Sequence, residues 1–158
     1  MTSWRFGLFL ALVLAVPLRG YAEPSVRVVA FTANWCPTCQ VLDPRIQAAI
    51  RASAPDRIVL SEFDFSDAKR DNSNQLNREN AERALAWKIE DIWNSYKGRI
   101  GFAVITALDT GETLGCLSPR MTAERMRQRL ELAVRMSTET PQGSRKSIGE
   151  DCAEFRSG

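Results

Sequence analysis

The stretch Val26 to Gln40, VRVVAFTANWCPTCQ, holds a β-branched apolar run, a short joint and two cysteines three positions apart. Val26 to Phe31 reads as a buried strand. The residues after Cys39 read as a helix to about Ala52, because Val41, Leu42, Ile46, Ala49 and Ile50 recur at helical spacing. Cys36 and Cys39 therefore stand at a strand-to-helix junction, a setting that signals thiol–disulfide chemistry. With Cys36 at the helix start and Cys39 one turn in, both side chains share a face and can form a bridge. The unpaired N–H groups and positive dipole end of that helix favour a thiolate at Cys36. The thiolate is the form that attacks a disulfide.

Working outward, Pro44 should kink the first helix, since its ring removes a backbone hydrogen bond. Pro55-Asp56 is a turn. Ile58 to Phe65 (IVLSEFDF) reads as a second strand. Ser66 to Asn80 is polar and reads as a solvated loop plus the first turns of a helix. That helix is expected from near Gln75 to Tyr96, with Leu85, Ile89, Ile92, Trp93 and Tyr96 on one face and Gly98 as its stop. Phe102 to Ala107 and Glu112 to Leu117 read as a hairpin turned at Asp109-Thr110-Gly111. A last helix starts at Thr122 as N-cap, with Glu124 in its first turn and Met121 and Met126 at hydrophobic-staple spacing. Met126, Leu130, Ala133 and Val134 would face the sheet. Beyond Met136 the chain is polar and reads as a loose tail. The order β-α-β-α-β-β-α implies an α/β domain, a mixed sheet with helices on both faces.

The chain has 158 residues, enough for one domain with a core. Its first 22 residues read as a leader outside that core. Arg5 precedes an apolar run from Phe6 to Val16, Pro17 breaks it, and Gly20-Tyr21-Ala22 offers small residues for cleavage after Ala22. The alternative is an uncleaved anchor, but a bilayer span needs roughly 20 apolar residues. The expected division is thus a signal peptide over 1–22, a domain over 23–136 and a polar tail over 137–158. The expected location is periplasmic or secreted, with no stable membrane insertion after cleavage. Loss of Arg5 and Arg19 takes the formal charge from +2 to zero, leaving no basic field for nucleic acid. Histidine is absent, which excludes a Ser–His–Asp triad, a Cys–His pair and the HExxH zinc motif. Gln40 after Cys39 excludes c-type haem attachment. No cofactor or resident metal is expected, and four cysteines fit an oxidising compartment.

This order of elements, with WCxxC at the first strand-to-helix junction, resembles the thioredoxin superfamily over roughly Val26 to Met136. Trp35 before the first cysteine, Pro44 five residues after the second, the Asp109-Thr110-Gly111 hairpin and the closing helix all match that pattern. Cys36-Pro37-Thr38-Cys39 is similar to the tetrapeptide of thioredoxin-like reductants in bacterial cytochrome c maturation. The resemblance implies a thioredoxin-like fold and an exported thiol:disulfide oxidoreductase. Cys36 would be its exposed nucleophile and Cys39 its buried resolving thiol. Trp35 would cover one side of the site. Pro37 and Thr38 would set which backbone donors face the Cys36 sulfur, Pro37 supplying none. Partners would be protein thiols or disulfides, including a membrane or periplasmic redox partner.

Three departures stand out. The family's cis-proline loop facing the dithiol here reads Arg99-Ile100-Gly101-Phe102-Ala103, without proline. Ile100, Gly101 and Phe102 would then form the substrate loop. The acidic residue many thioredoxins carry six positions before the first cysteine is replaced by Ala30. Glu62 on the neighbouring strand is the candidate substitute proton acceptor for Cys39; the alternative leaves it idle at the sheet edge. Cys116 and Cys152 lie outside the family pattern. Four cysteines allow three pairings, and the expected one joins Cys36 to Cys39 and Cys116 to Cys152. The second bridge would staple the tail, at ~2–4 kcal/mol. Free or intermolecular thiols, or a second pair relaying electrons, stay open. Two further functions also remain: a thioredoxin-like module holding a soft ion such as Cu(I) on its thiolates, and a non-catalytic binding domain with a structural bridge.

Overall fold

The computed structural model describes residues 23–68, 72–145, 147 and 152. The leader expected over residues 1–22 lies outside the described residues.

The chain runs β1 (Val26–Thr32), α1 (Pro37–Ala52), β2 (Ile58–Asp64), α2 (Ser73–Ala86), α3 (Glu90–Tyr96), β3 (Phe102–Ala107), β4 (Thr113–Leu117) and α4 (Ala123–Glu139). The strands form one sheet in the order β2-β1-β3-β4. β1 runs parallel to β2, with Ala30 opposite Glu62, and antiparallel to β3, with Phe31 opposite Phe102. β3 and β4 are antiparallel, with Val104 opposite Cys116. This is the mixed, doubly covered α/β sheet that the sequence implied.

Strand alternation divides the core in two. Val28, Ala30 and Ile105 face one side and pack with Leu42 and Ile46 of α1 and Met126 and Leu130 of α4. Burial of each large aliphatic side chain there contributes about 1.5–3 kcal/mol. Val29, Phe31, Val104 and Cys116 face the other side and pack with Ile89, Ile92, Trp93 and Tyr96. This second layer is aromatic: the Phe31 ring lies 4.8 Å from Phe102 and 5.1 Å from Phe63. Both cysteines of the CxxC pair belong to it.

The single helix expected from Gln75 to Tyr96 is two helices. α2 stops at Trp87, where Lys88 takes a left-handed φ of 59°. The Ile89 N–H then reaches back to the Ala84 carbonyl at 2.9 Å, a Schellman closure. Arg27 of β1 secures the break by donating to the Trp87 carbonyl at 3.0 Å while its guanidinium lies over the Trp87 ring. The turn rotates α2 relative to α3, so Leu85, expected in the core, is 64% exposed. Val41 is likewise exposed on the outer side of α1, beside the buried Leu42.

α1 continues through Pro44. α4 is capped by Thr122, whose hydroxyl accepts the Arg125 N–H at 3.2 Å, and it runs three residues past the expected boundary at Met136. The segment after it is tied back to the hairpin. The Arg145 side chain, 4% exposed, pairs with Asp109 at 2.7 Å and Glu112 at 3.3 Å and donates to the Ser137 carbonyl.

Candidate redox site

The site is assembled where β1 ends. The Ala33 carbonyl accepts the Cys36 N–H at 3.1 Å and turns the chain into α1. The loop after β2 anchors this joint twice: Ser66 Oγ accepts the Asn34 N–H at 2.8 Å, and the Phe65 carbonyl accepts the Trp35 indole N–H at 3.3 Å. Cys36 is the N-cap of α1, with Pro37 in its first turn. The N-cap role is normally filled by an oxygen. Here the Cys36 Sγ fills it, accepting the Cys39 N–H at 3.1 Å. A charge-seeking donor is thus already aimed at the sulfur that would carry the negative charge.

Cys36 and Cys39 are joined in a disulfide, with Cα atoms 5.2 Å apart. Cys39 is 1% exposed and Cys36 only 5%. The sulfur expected to be open to solvent is therefore covered in the bridged state. The cover comes from the proline-less loop. Gly101, at φ +89°, brings its backbone so close that a Cβ there would stand 3.8 Å from the Cys36 Sγ. Its N–H donates to the Phe31 carbonyl at 2.8 Å, fixing the loop to β1. Of the three residues expected to form this loop, Gly101 touches the site and Ile100 flanks it. Phe102 turns inward and stacks on Phe31.

Trp35, 56% exposed, borders an open cleft of about 370 Å³ together with Phe65, Leu76, Asn77 and Ile100. The α2 wall of this cleft was not legible in the sequence, where Leu76 stands alone in a polar stretch. Pro37 and Thr38 are exposed beside the bridge.

The carboxylates form a separate corner. Glu62 lies on the edge strand β2 and stays open to solvent. Partial burial pushes its carboxyl above the usual range, and the charges of Asp43 and Asp64 push it further. Asp43 was missed in the sequence. It sits one helical turn after Cys39 and accepts the Thr32 hydroxyl at 2.6 Å. Burial raises its carboxyl, the Thr32 bond pulls it back down, and Asp64 adds to the rise. The signal available was the i, i+4 spacing from Cys39.

Cys116 and Cys152 are also joined, with Cα atoms 5.3 Å apart. All four cysteines are thus bridged. Cys116 is level with Val104 and Val29, two strands across from β1 and short of the end that carries Cys36. Strands spaced roughly 4.8 Å apart put that pair out of reach for direct exchange with Cys36 without rearrangement. Among the described residues no group of three or more His, Cys, Asp or Glu side chains could hold a metal ion. No helix among them is long and apolar enough to cross a membrane.

The sequence model of the family described as Thioredoxin matches residues 21–77, from before β1 into α2. Among solved structures, the crystal structure of StoA from Bacillus subtilis is similar at 18% identity, covering 70% of this chain and 85% of that one, with a TM-score of 0.45. No curated protein matches.

Proposed function

We propose that the chain is an exported thiol:disulfide oxidoreductase acting on protein thiols and disulfides, a reading supported by the CxxC pair at its first strand-to-helix junction, inside the stretch that matches the Thioredoxin family model. One observation carries the reading: the Cys36 sulfur caps α1, accepts the Cys39 N–H and is bridged to Cys39. In the reductive direction the Cys36 thiolate attacks a partner's disulfide. One partner sulfur leaves as a thiolate and the other is held in a mixed disulfide. Cys39 then loses its proton and displaces the second partner sulfur, closing the Cys36–Cys39 bridge. Asp43, one turn on, and Glu62 beyond it are the carboxylates assigned to receive that proton.

The partner docks against Trp35, Ile100 and Gly101. The cleft walled by Trp35, Phe65 and Leu76 takes a large apolar side chain next to the partner's cysteine. Export rests on the apolar run Phe6 to Val16 and the small residues before Glu23. A persistent Cys116–Cys152 bridge also fits an oxidising compartment.

Two substitutions test the assignment. Cys36→Ser should abolish insulin-disulfide reduction, and Cys39→Ser should accumulate a mixed disulfide with the partner, seen by mass spectrometry. Retained activity in the Cys36→Ser protein refutes the nucleophile. Mass measurement of the exported protein should place its first residue at Glu23.

A further inference from the structure

The loop over Cys36 hangs between two aromatic residues. Tyr96 ends α3 on one side, and Phe102 opens β3 on the other. Their rings are 5.3 Å apart, and both pack on Phe31, at 6.2 Å and 4.8 Å. Phe31 in turn holds Gly101 through its carbonyl. Tyr96 is buried, so its phenol must find a hydrogen-bond partner. It donates to the Cys152 carbonyl at 3.1 Å. That carbonyl comes from the segment after α4, and the bridge to Cys116 brings it there. A continuous set of contacts therefore runs from the second disulfide through Tyr96 to the loop over the first.

We infer that Tyr96 is a positioning residue for the loop facing Cys36, and that the Cys116–Cys152 bridge sets its position by supplying the acceptor for its hydroxyl. The inference rests on reading Cys36–Cys39 as the exchanging pair. Opening the second bridge frees the carbonyl and removes the tie that fixes the residue-96 ring, as loss of the hydroxyl also would. The ring is then held by packing alone, and the Lys97–Gly101 loop loosens with it. The Cys36 sulfur gains solvent, which favours the thiolate and hence the dithiol form of the first pair.

The readout is the equilibrium of the first pair with glutathione. Two glutathione thiols reduce the Cys36–Cys39 bridge to the dithiol and become one glutathione disulfide, a transfer of two electrons and two protons. Acid quenching, alkylation and peptide mass mapping read this pair apart from the second. Tyr96→Phe keeps the ring and both bridges and removes only the hydroxyl. It should shift the equilibrium constant toward the dithiol by about fivefold, comparable to the net effect of one hydrogen bond. Cys116→Ser with Cys152→Ser should shift it in the same direction by a similar factor, and the three substitutions together should go no further. An unchanged or opposite constant for Tyr96→Phe overturns the inference, as do factors that multiply in the combined variant. If the serine variant does not fold, Tyr96→Phe alone decides. The constant can be measured even for a bridge that no partner uses, so a failure here is distinct from loss of the oxidoreductase reading, which Cys36→Ser decides.

Discussion

Gly101 faces Thr38 across the candidate redox site with little room for a side chain: a Cβ at Gly101 would stand 3.0 Å from the Thr38 Cγ2. Its φ of +89° also lies where L side chains are strained. Gly101→Ala should cost about 2 kcal/mol, from backbone strain plus the contact. In a Thr38→Ser background, which deletes that methyl, the loss should shrink and not vanish. Urea midpoints of the four proteins check this, and an unaltered midpoint for Gly101→Ala would contradict the close approach.

The corner of Asp43, Glu62 and Asp64 gives stability a definite pH slope. The raised Asp43 and Glu62 carboxyls bind more protons folded than unfolded in the window above the ordinary carboxylate range, about pH 4. Their contribution is fully present below that range and is lost as pH rises through the raised values. Asp43→Asn should flatten the slope, because the amide does not titrate. It should also move the pH midpoint of mixed-disulfide resolution downward, since a negative charge near Cys39 is gone. Parallel stability curves for parent and variant would refute the coupling.

At the far end of the sheet the sign reverses. The Arg145 hydrogen bond holds the Asp109 carboxyl well below the usual range. Its stabilisation is present above the ordinary carboxylate range and is lost as pH falls through the depressed value. Arg145→Met should cost about 1–3 kcal/mol at neutral pH, because it unpairs carboxylates and strands the Ser137 and Thr140 carbonyls. The gap between the two proteins should narrow in acid. Denaturant titrations at neutral and acid pH measure it, and a constant gap counts against the ion pair.

Cys116→Ala with Cys152→Ala removes a cross-link over a separation of 36 residues. In the chain-entropy treatment this costs up to about 4 kcal/mol. Thermal unfolding of the oxidised proteins gives the value. An equal midpoint would mean that the bridge does not restrain the unfolded chain.

The strands were legible because their signals are local. The β-branched run at Val26 and the FAVITA run at Phe102 define edges within a residue of the observed ones. Thr122 was legible as a cap for the same reason. The break at Lys88 was not, because a lysine carries no sign of left-handed backbone; packing sets it, through Arg27 on Trp87 and the turn at Gly111, whose Cα lies against the Lys88 carbonyl. Leu85 was misplaced as a direct result. At the site, the spacing of Cys36 and Cys39 announced the bridge. The parts that tune it, namely the Thr32–Asp43 bond, the Tyr96–Cys152 bond and the cover from Gly101, join residues 11, 56 and 65 positions apart, and no local pattern records them.

The Cys116–Cys152 bridge joins β4 to a residue that lies after α4, the last helix among the described elements. A chain emerging from its N-terminus therefore presents Cys36 and Cys39 together, while Cys116 must wait as a thiol for its mate. During that interval the domain holds three sulfurs able to pair wrongly. Closing the near-neighbour pair in that interval leaves Cys116 with one possible mate, Cys152.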